Sequence, residues 1–93
     1  MNSIVIKIYP PFSYAAGCKE IQILFKDDYI CLEDAIKKMI DLYPKMSEFF
    51  PDLLDLNNLY GSCFPVRKGE LLNLHDILKP SDIIEIFGSL DGG

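Results

Sequence analysis

Residues 83–93 of the chain read Ile-Ile-Glu-Ile-Phe-Gly-Ser-Leu-Asp-Gly-Gly. The first five are apolar on both faces except for Glu85, which is typical of a strand buried at the centre of a sheet. The diglycine Gly92-Gly93 follows shortly after this strand. A glycine carboxyl group has no Cβ beside it, so a narrow enzyme channel can admit it for activation at the carbonyl carbon. A frayed polar end is the alternative interpretation of the same residues.

Two alternating segments upstream predict a β-hairpin. In residues 3–9 and again in residues 20–25, apolar side chains at every second position share one face. Pro10-Pro11 ends the first strand, because proline cannot donate a ladder hydrogen bond. The stretch from there to residue 17, which carries Phe12, is predicted to be a loop.

Residues 32–43 predict an amphipathic helix. Their apolar side chains recur at three- and four-residue spacing: Leu32, Ile36, Met39, Ile40 and Tyr43. Pro44 ends the helix. Cys31 lies at its N-cap, where a thiol is a weaker acceptor than a hydroxyl. Glu33 and Lys37 form a pair at the favourable i, i+4 spacing.

The rest of the chain predicts shorter elements. Residues 45–55 favour a short helix or turn, and residues 59–66 favour an irregular strand whose glycine and proline suit a sheet edge or a bulge. A turn at residues 67–70 precedes a short partner strand at 71–74. Residues 75–82 are predicted to connect it to the last strand.

The phenylalanines Phe49 and Phe50 are either part of a satellite core or a docking surface. The element order predicts an α+β protein, with a mixed sheet and one main helix packed on one of its faces. With 93 residues and 49% hydrophobic content, one core is expected. We predict a globular domain over residues 1–87 and a flexible tail over residues 88–93.

Composition excludes several classes of function. The net charge of −5 and the dispersed basic residues argue against nucleic-acid binding, which needs a concentrated Lys/Arg surface. No apolar run approaches the length needed to cross a bilayer, and the first residues lack the basic flank and cleavage site of a signal peptide. We therefore expect a cytoplasmic protein that does not bind membranes.

The sequence offers few groups for catalysis. His75 is the only histidine, and a turn or capping role fits it better than that of a catalytic base. The three cysteines are widely separated, with no C-x-x-C pair for a metal or a redox dithiol. Cys18 is the one candidate for a reactive thiol, because Lys19 stands beside it. No metal site is predicted.

Several features together resemble one known family. They are the β-grasp order of elements, the Tyr43-Pro44 helix ending, the run over residues 77–87 and the diglycine Gly92-Gly93. The chain resembles the ubiquitin-like sulfur carriers, above all the small subunit of molybdopterin synthase and the related small archaeal and bacterial modifiers. It has Ser81-Asp82 where that family commonly has Gly-Asp, and Gly88-Ser89 where it often has Pro-Pro.

The resemblance implies a function for the tail. Gly93 would be adenylated by an ATP-dependent adenylyltransferase of the ubiquitin-activating type and converted to a thiocarboxylate, beside the slim Gly92. Leu90 and Asp91 would be recognised by the partner. The chain itself would bind no cofactor and would be no enzyme, and the large subunit of molybdopterin synthase would be a second partner.

Three functions stay open at this point. The first is a sulfur carrier for molybdenum or tungsten pterin cofactor biosynthesis. The second is a protein modifier joined to target lysines through Gly93. The third is a non-catalytic β-grasp interaction domain in which the tail plays no part.

Overall fold

A computed structural model describes residues 1–49 and 63–88 of the chain. The elements in chain order are β1 (Asn2–Ile8), α1 (Phe12–Ala16), β2 (Glu20–Phe25), β3 (Ile30–Cys31), α2 (Leu32–Leu42), a 3₁₀ helix (Pro44–Phe49), β4 (Cys63–Arg67), β5 (Glu70–Leu71), β6 (Ile77–Leu78) and β7 (Ile83–Gly88).

The main sheet of the described residues has five strands in the order β2-β1-β7-β4-β5. β1 and β2 form the predicted antiparallel hairpin, and β7 joins β1 in parallel. β4 pairs with the other side of β7 in the antiparallel sense. The strand that precedes the diglycine therefore lies in the middle of a mixed sheet, and the predicted α+β class is confirmed.

Strand alternation decides which face of the sheet meets the helix. The inward side chains of β1, β2 and β7 are buried in one cluster with the inner side of α2: Ile4, Ile6, Ile8, Ile21, Ile23, Phe25, Leu32, Ala35, Ile36, Met39, Ile84 and Ile86. The opposite face, here called the outer face, is open: Ile83 is 51% exposed and Phe87 is 38% exposed. The prediction that β7 is buried on both faces is therefore wrong, because the described part of the chain covers only one of them.

The segment predicted as a loop after β1 contains the short helix α1. Its first residue, Phe12, is fully buried, and burying such a side chain is worth about 1.5–3 kcal/mol. Gly17 ends the helix in the left-handed region at φ +74°, where its N–H donates to the carbonyl of Ser13. Packing of Phe12 thus gives the segment a defined conformation that its prolines and glycine did not indicate.

Helix α2 lies close to its predicted position. It begins after Cys31, whose side chain makes no capping hydrogen bond to the backbone. The thiol instead donates to Asp34 Oδ2 over 3.3 Å. The predicted pair of Glu33 and Lys37 is present, with 3.8 Å between the carboxylate and the ammonium group.

Two short strands were not predicted. β3 and β6 pair with each other as a separate two-stranded sheet, with Ile30 opposite Leu78 and Cys31 opposite Ile77. β6 falls within the predicted connector. Two residues are too few to show an alternating pattern, so only the tertiary contact identifies these strands. β5 likewise covers Glu70–Leu71, not the predicted 71–74.

β4 has a neighbour on both sides, so the predicted edge position is only partly correct. Its partner β5 is two residues long and joined through a tight turn, in which Lys68 and Gly69 both have positive φ. The Pro65 carbonyl accepts from the Leu72 N–H on the β5 side. Because the proline nitrogen points to that same side, its missing donor removes no hydrogen bond to β7.

Some predictions fall where the structure gives no description. The beginning of the predicted strand 59–66 and most of the segment 45–55 are among them, as are the side chains of Phe49 and Phe50, so their role as core or docking surface stays open. None of the helices in residues 1–49 and 63–88 combines the length and apolar character that crossing a bilayer requires.

Candidate functional site

The predicted site residues follow the end of β7. They lie outside the described residues and stay predictions: Leu90, Asp91, Gly92 and Gly93. Gly88, assigned from the sequence to the tail, is the last residue of β7 and pairs with Cys63. The structure therefore describes the surface from which the diglycine segment departs, which we call the tail root: Tyr9, Pro10, Pro11, Glu85, Phe87 and Gly88.

Neighbouring strands hold β7 on both sides. Ile86 lies opposite Ile8 of β1 and opposite Pro65 of β4, and its side chain is fully buried. A strand with ladder partners on each side cannot shift along its axis without breaking both sets of hydrogen bonds. The tail root is therefore fixed relative to the core.

The turn before β7 is closed by a shared carboxylate. Asp82 Oδ2 accepts from the Lys79 N–H and from Arg67 Nη1, both at 2.9 Å. The same guanidinium nitrogen donates to the Ile77 carbonyl at 2.9 Å. Because Arg67 ends β4 and Ile77 begins β6, this one side chain joins three segments at the start of β7. Ser81 adopts φ +73° in this turn, a conformation in which glycine has no steric penalty.

An aromatic pair covers the outer face at the far end of β7. The rings of Tyr9 and Phe87 stack with centroids 4.5 Å apart and planes 6° from parallel. The Tyr9 hydroxyl donates to Glu85 Oε2 over 2.6 Å. This hydrogen bond raises the pKa of the Tyr9 phenol, and partial burial and the carboxylate charge act in the same direction. Tyr9 therefore keeps its proton and its contact throughout the neutral pH range.

Gly88 makes a close contact with the segment that follows β1. A Cβ at this position would collide with the ring of Pro11 and would lie 3.0 Å from the Pro10 carbonyl oxygen. The backbone of β7 can approach the two prolines because residue 88 has no side chain. Here glycine serves close packing, which differs from the mobility expected of it at the sequence level.

The contacts of Tyr9 with Phe87 and Glu85 were not predicted from the sequence. The parallel register places Lys7 opposite Glu85 and Ile8 opposite Ile86, so Tyr9 and Phe87 come next. Nothing in a single sequence fixes the register of two strands that are more than seventy residues apart. The alternation of β1 shows only that Tyr9 faces outward.

The thiols and the histidine of the described residues form no reactive cluster, although Cys63 lies opposite Gly88 of the tail root. Burial raises the pKa of the Cys63 thiol to about 12, so it stays protonated and inert at neutral pH. Cys18 is half-buried, and its interaction with the Tyr43 hydroxyl raises the pKa of that phenol. His75 is exposed in a turn, where its backbone N–H donates to Asn73. In residues 1–49 and 63–88 no cluster of three His, Cys, Asp or Glu residues could hold a metal ion.

Comparison with solved structures identifies the fold. Small archaeal modifier protein 1 of Haloferax volcanii superposes with a TM-score of 0.79 at 22% identity, over 98% of this chain and 99% of that one. The protein of the same description from Methanosarcina acetivorans gives 0.77 at 24% identity, over 100% and 98%. The molybdopterin converting factor subunit 1 of Pyrococcus furiosus gives 0.75 at 19% identity, over 97% and 100%.

The chain has the ubiquitin-like β-grasp fold. The resemblance drawn from the sequence is thereby confirmed at the level of the fold, since the small modifiers and the molybdopterin subunit are the two groups it pointed to. No protein-family model and no curated protein sequence matches the chain. In β-grasp terms, the tail root lies at the end of the central strand, beside the first strand.

Proposed function

We propose that the chain is a sulfur carrier, in which Gly93 is activated as an acyl-adenylate and converted to a thiocarboxylate that donates sulfur in molybdenum or tungsten pterin cofactor biosynthesis. The observation that carries the proposal is a β-grasp body whose central strand ends at Gly88, five residues before Gly93. Five residues can extend about 17 Å, which is enough to enter the active site of a partner.

The chemistry needs little from the body of this protein. The Gly93 carboxylate attacks the α-phosphate of ATP in the activating enzyme, and pyrophosphate leaves. Sulfide then attacks the activated carbonyl carbon: a C–S bond forms, the C–O bond to the adenylate breaks, and AMP leaves with that oxygen. ATP, any metal and the general acid–base groups belong to the partner, so this chain acts as a carrier and not as an enzyme.

The described residues support the assignment of catalysis to the partner and of a carrier role to this chain. Cys63 lies opposite Gly88 in the strand ladder, but its thiol is buried and protonated. His75 sits in an exposed turn. In the tail root, Tyr9 stacks on Phe87 and donates to Glu85, and Gly88 packs closely against the two prolines. These contacts hold the end of β7 in place. In this proposal the body holds the end of β7, from which the diglycine segment continues, and offers the tail root as a surface for the partner.

A second candidate is conjugation through Gly93 to lysine side chains of other proteins. It is favoured by the two fold relatives described as small archaeal modifier proteins. Both candidates share the adenylated intermediate and differ in the nucleophile that takes the acyl group, sulfide in one case and an amine in the other.

Pyrophosphate exchange tests the shared step. The chain is incubated with ATP, labelled pyrophosphate and the activating enzyme encoded in the same genome. We expect exchange into ATP with the full chain and none with a variant that lacks Gly92 and Gly93. Exchange that proceeds equally with the shortened chain would contradict both candidates and leave the interaction-domain function.

Immunoblots of cell lysate then separate the two candidates. A conjugated modifier gives slower-migrating adducts that disappear when Gly93 is removed, whereas a sulfur carrier gives the free chain. Adducts that persist without Gly93 would show that the tail takes no part in them.

A further inference from the structure

Strand β2 forms one edge of the main sheet, and no other strand of the described residues pairs with its outer side. An unpaired edge displays backbone donors and acceptors that can take up another strand. The opposite edge differs, because β5 is only two residues long. β2 has six residues and is therefore the long edge open to pairing in the described part of the sheet.

The register with β1 shows which backbone groups of β2 face outward. Ile8 N–H donates to the Lys19 carbonyl, so this pair is hydrogen-bonded, and the pattern then alternates along the hairpin. Ile21, Ile23 and Phe25 direct their backbone groups toward β1. Glu20, Gln22 and Leu24 therefore direct theirs away from the sheet, free to bond another strand.

A groove runs between this edge and helix α2. It has a volume of about 370 Å³ and is lined by Gln22, Ile23, Leu24, Lys38, Asp41 and Leu42. Leu24 is 50% exposed and Leu42 is 59% exposed. The edge thus combines free hydrogen-bonding groups with apolar surface, which a second strand would cover.

The charged side chains along the β2 edge are placed so that two antiparallel copies of this edge would bring opposite charges together. Glu20 and Lys26 lie three residues on either side of Ile23, and both are exposed. In an antiparallel pair of two copies centred on Ile23, Glu20 of each copy stands opposite Lys26 of the other. The outward-facing Gln22 stands opposite Leu24 of the other copy, so the backbone groups that are free also meet.

Neighbouring registers lack this match. Centring the pair on Gln22 places Glu20 opposite Leu24, and centring it on Leu24 places Glu20 opposite Asp28, where two negative charges repel. We propose that this chain forms a two-fold symmetric dimer through antiparallel pairing of β2 with β2 of a second copy, centred on Ile23. Because β1 separates β2 from β7, the pairing does not involve the backbone of β7.

Charge reversal tests both the dimer and its register. Sedimentation equilibrium of the full chain from about 10 µM to about 1 mM is compared among the natural chain, Glu20→Lys, Lys26→Glu and the double variant. Each single change turns two attractive pairs into two repulsive ones and is expected to weaken dimerisation about tenfold. The double variant exchanges the two charges and is expected to restore it.

Lys45→Glu serves as the control, because Lys45 is exposed, lies outside the sheet and undergoes the same charge change as Lys26→Glu. It should leave dimerisation unaltered. A natural chain that stays monomeric over the whole range would overturn the proposal and leave the edge to a different partner. The proposal would also be overturned if the single variants dimerised as strongly as the natural chain, or if the double variant dimerised no more strongly than the single variants. Pyrophosphate exchange does not enter these measurements, so their outcome is independent of the proposed function.

Discussion

At the scale of single residues, the contact of Gly88 with the two prolines sets the geometry of the tail root. Alanine is normally better than glycine inside a strand by about 0.5–1 kcal/mol. For Gly88→Ala we expect the opposite sign, a loss of about 1–3 kcal/mol, because the new Cβ collides with Pro11. Urea denaturation measures the difference. A variant as stable as the natural chain would show that the close approach is absent.

The Tyr9 phenol makes a second prediction possible at this scale. Its hydrogen bond to Glu85 raises its pKa above the ordinary value of about 10. The contribution of this bond to stability is therefore fully present below pH 10 and is lost as the pH rises through the raised pKa. NMR titration of the ring should show the Tyr9 pKa falling toward its ordinary value in Glu85→Gln. An unchanged pKa in that variant would contradict the assigned cause.

Cys63 differs from the other two thiols in its surroundings. Burial raises its pKa to about 12, whereas Cys18 and Cys31 are half-buried. Alkylation of the folded protein by iodoacetamide at about pH 8 should therefore modify Cys63 last, and at a rate limited by opening of the structure. Peptide mass spectrometry follows each site. Modification of Cys63 as fast as that of Cys18 would refute the prediction.

At the scale of elements, the turn that leads into β7 depends on Ser81 in a left-handed conformation. A β-branched residue fits poorly at positive φ, so Ser81→Val should destabilise the protein by about 1–2 kcal/mol. Ser81→Gly should keep the stability or raise it slightly, because glycine adopts a positive φ without a steric penalty. Thermal unfolding compares the two. Equal melting temperatures for both variants would contradict the claim that the turn requires a left-handed conformation at residue 81.

The elements also show where sequence reasoning succeeds. The long periodic segments, such as β1 and α2, were predicted within one or two residues, because burial of one face leaves a clear pattern. α1 was missed because the burial of a single side chain, Phe12, stabilises this helix, and one apolar residue gives no periodic pattern in the sequence. β3 and β6 were missed because each is only two residues long and is a strand only by virtue of its pairing with the other.

At the scale of the whole molecule, the fold could be predicted while the composition of the tail root could not. The diglycine and the element order indicated a β-grasp protein, and the solved structures bear this out. The stack of Tyr9 on Phe87 depends on a parallel register between the first strand and the last described one. Such long-range pairing leaves no local pattern, so it had to come from the three-dimensional structure.

In the proposed function, the described β-grasp body carries a diglycine segment that an activating partner modifies. Intact-mass spectrometry of the chain produced together with its own activating enzyme and a sulfur source tests this most directly. We expect a mass gain equal to the replacement of one oxygen by sulfur, located on the peptide that contains Gly93 and absent when Gly93 is removed. A chain that keeps its unmodified mass beside a demonstrably active partner would contradict the account.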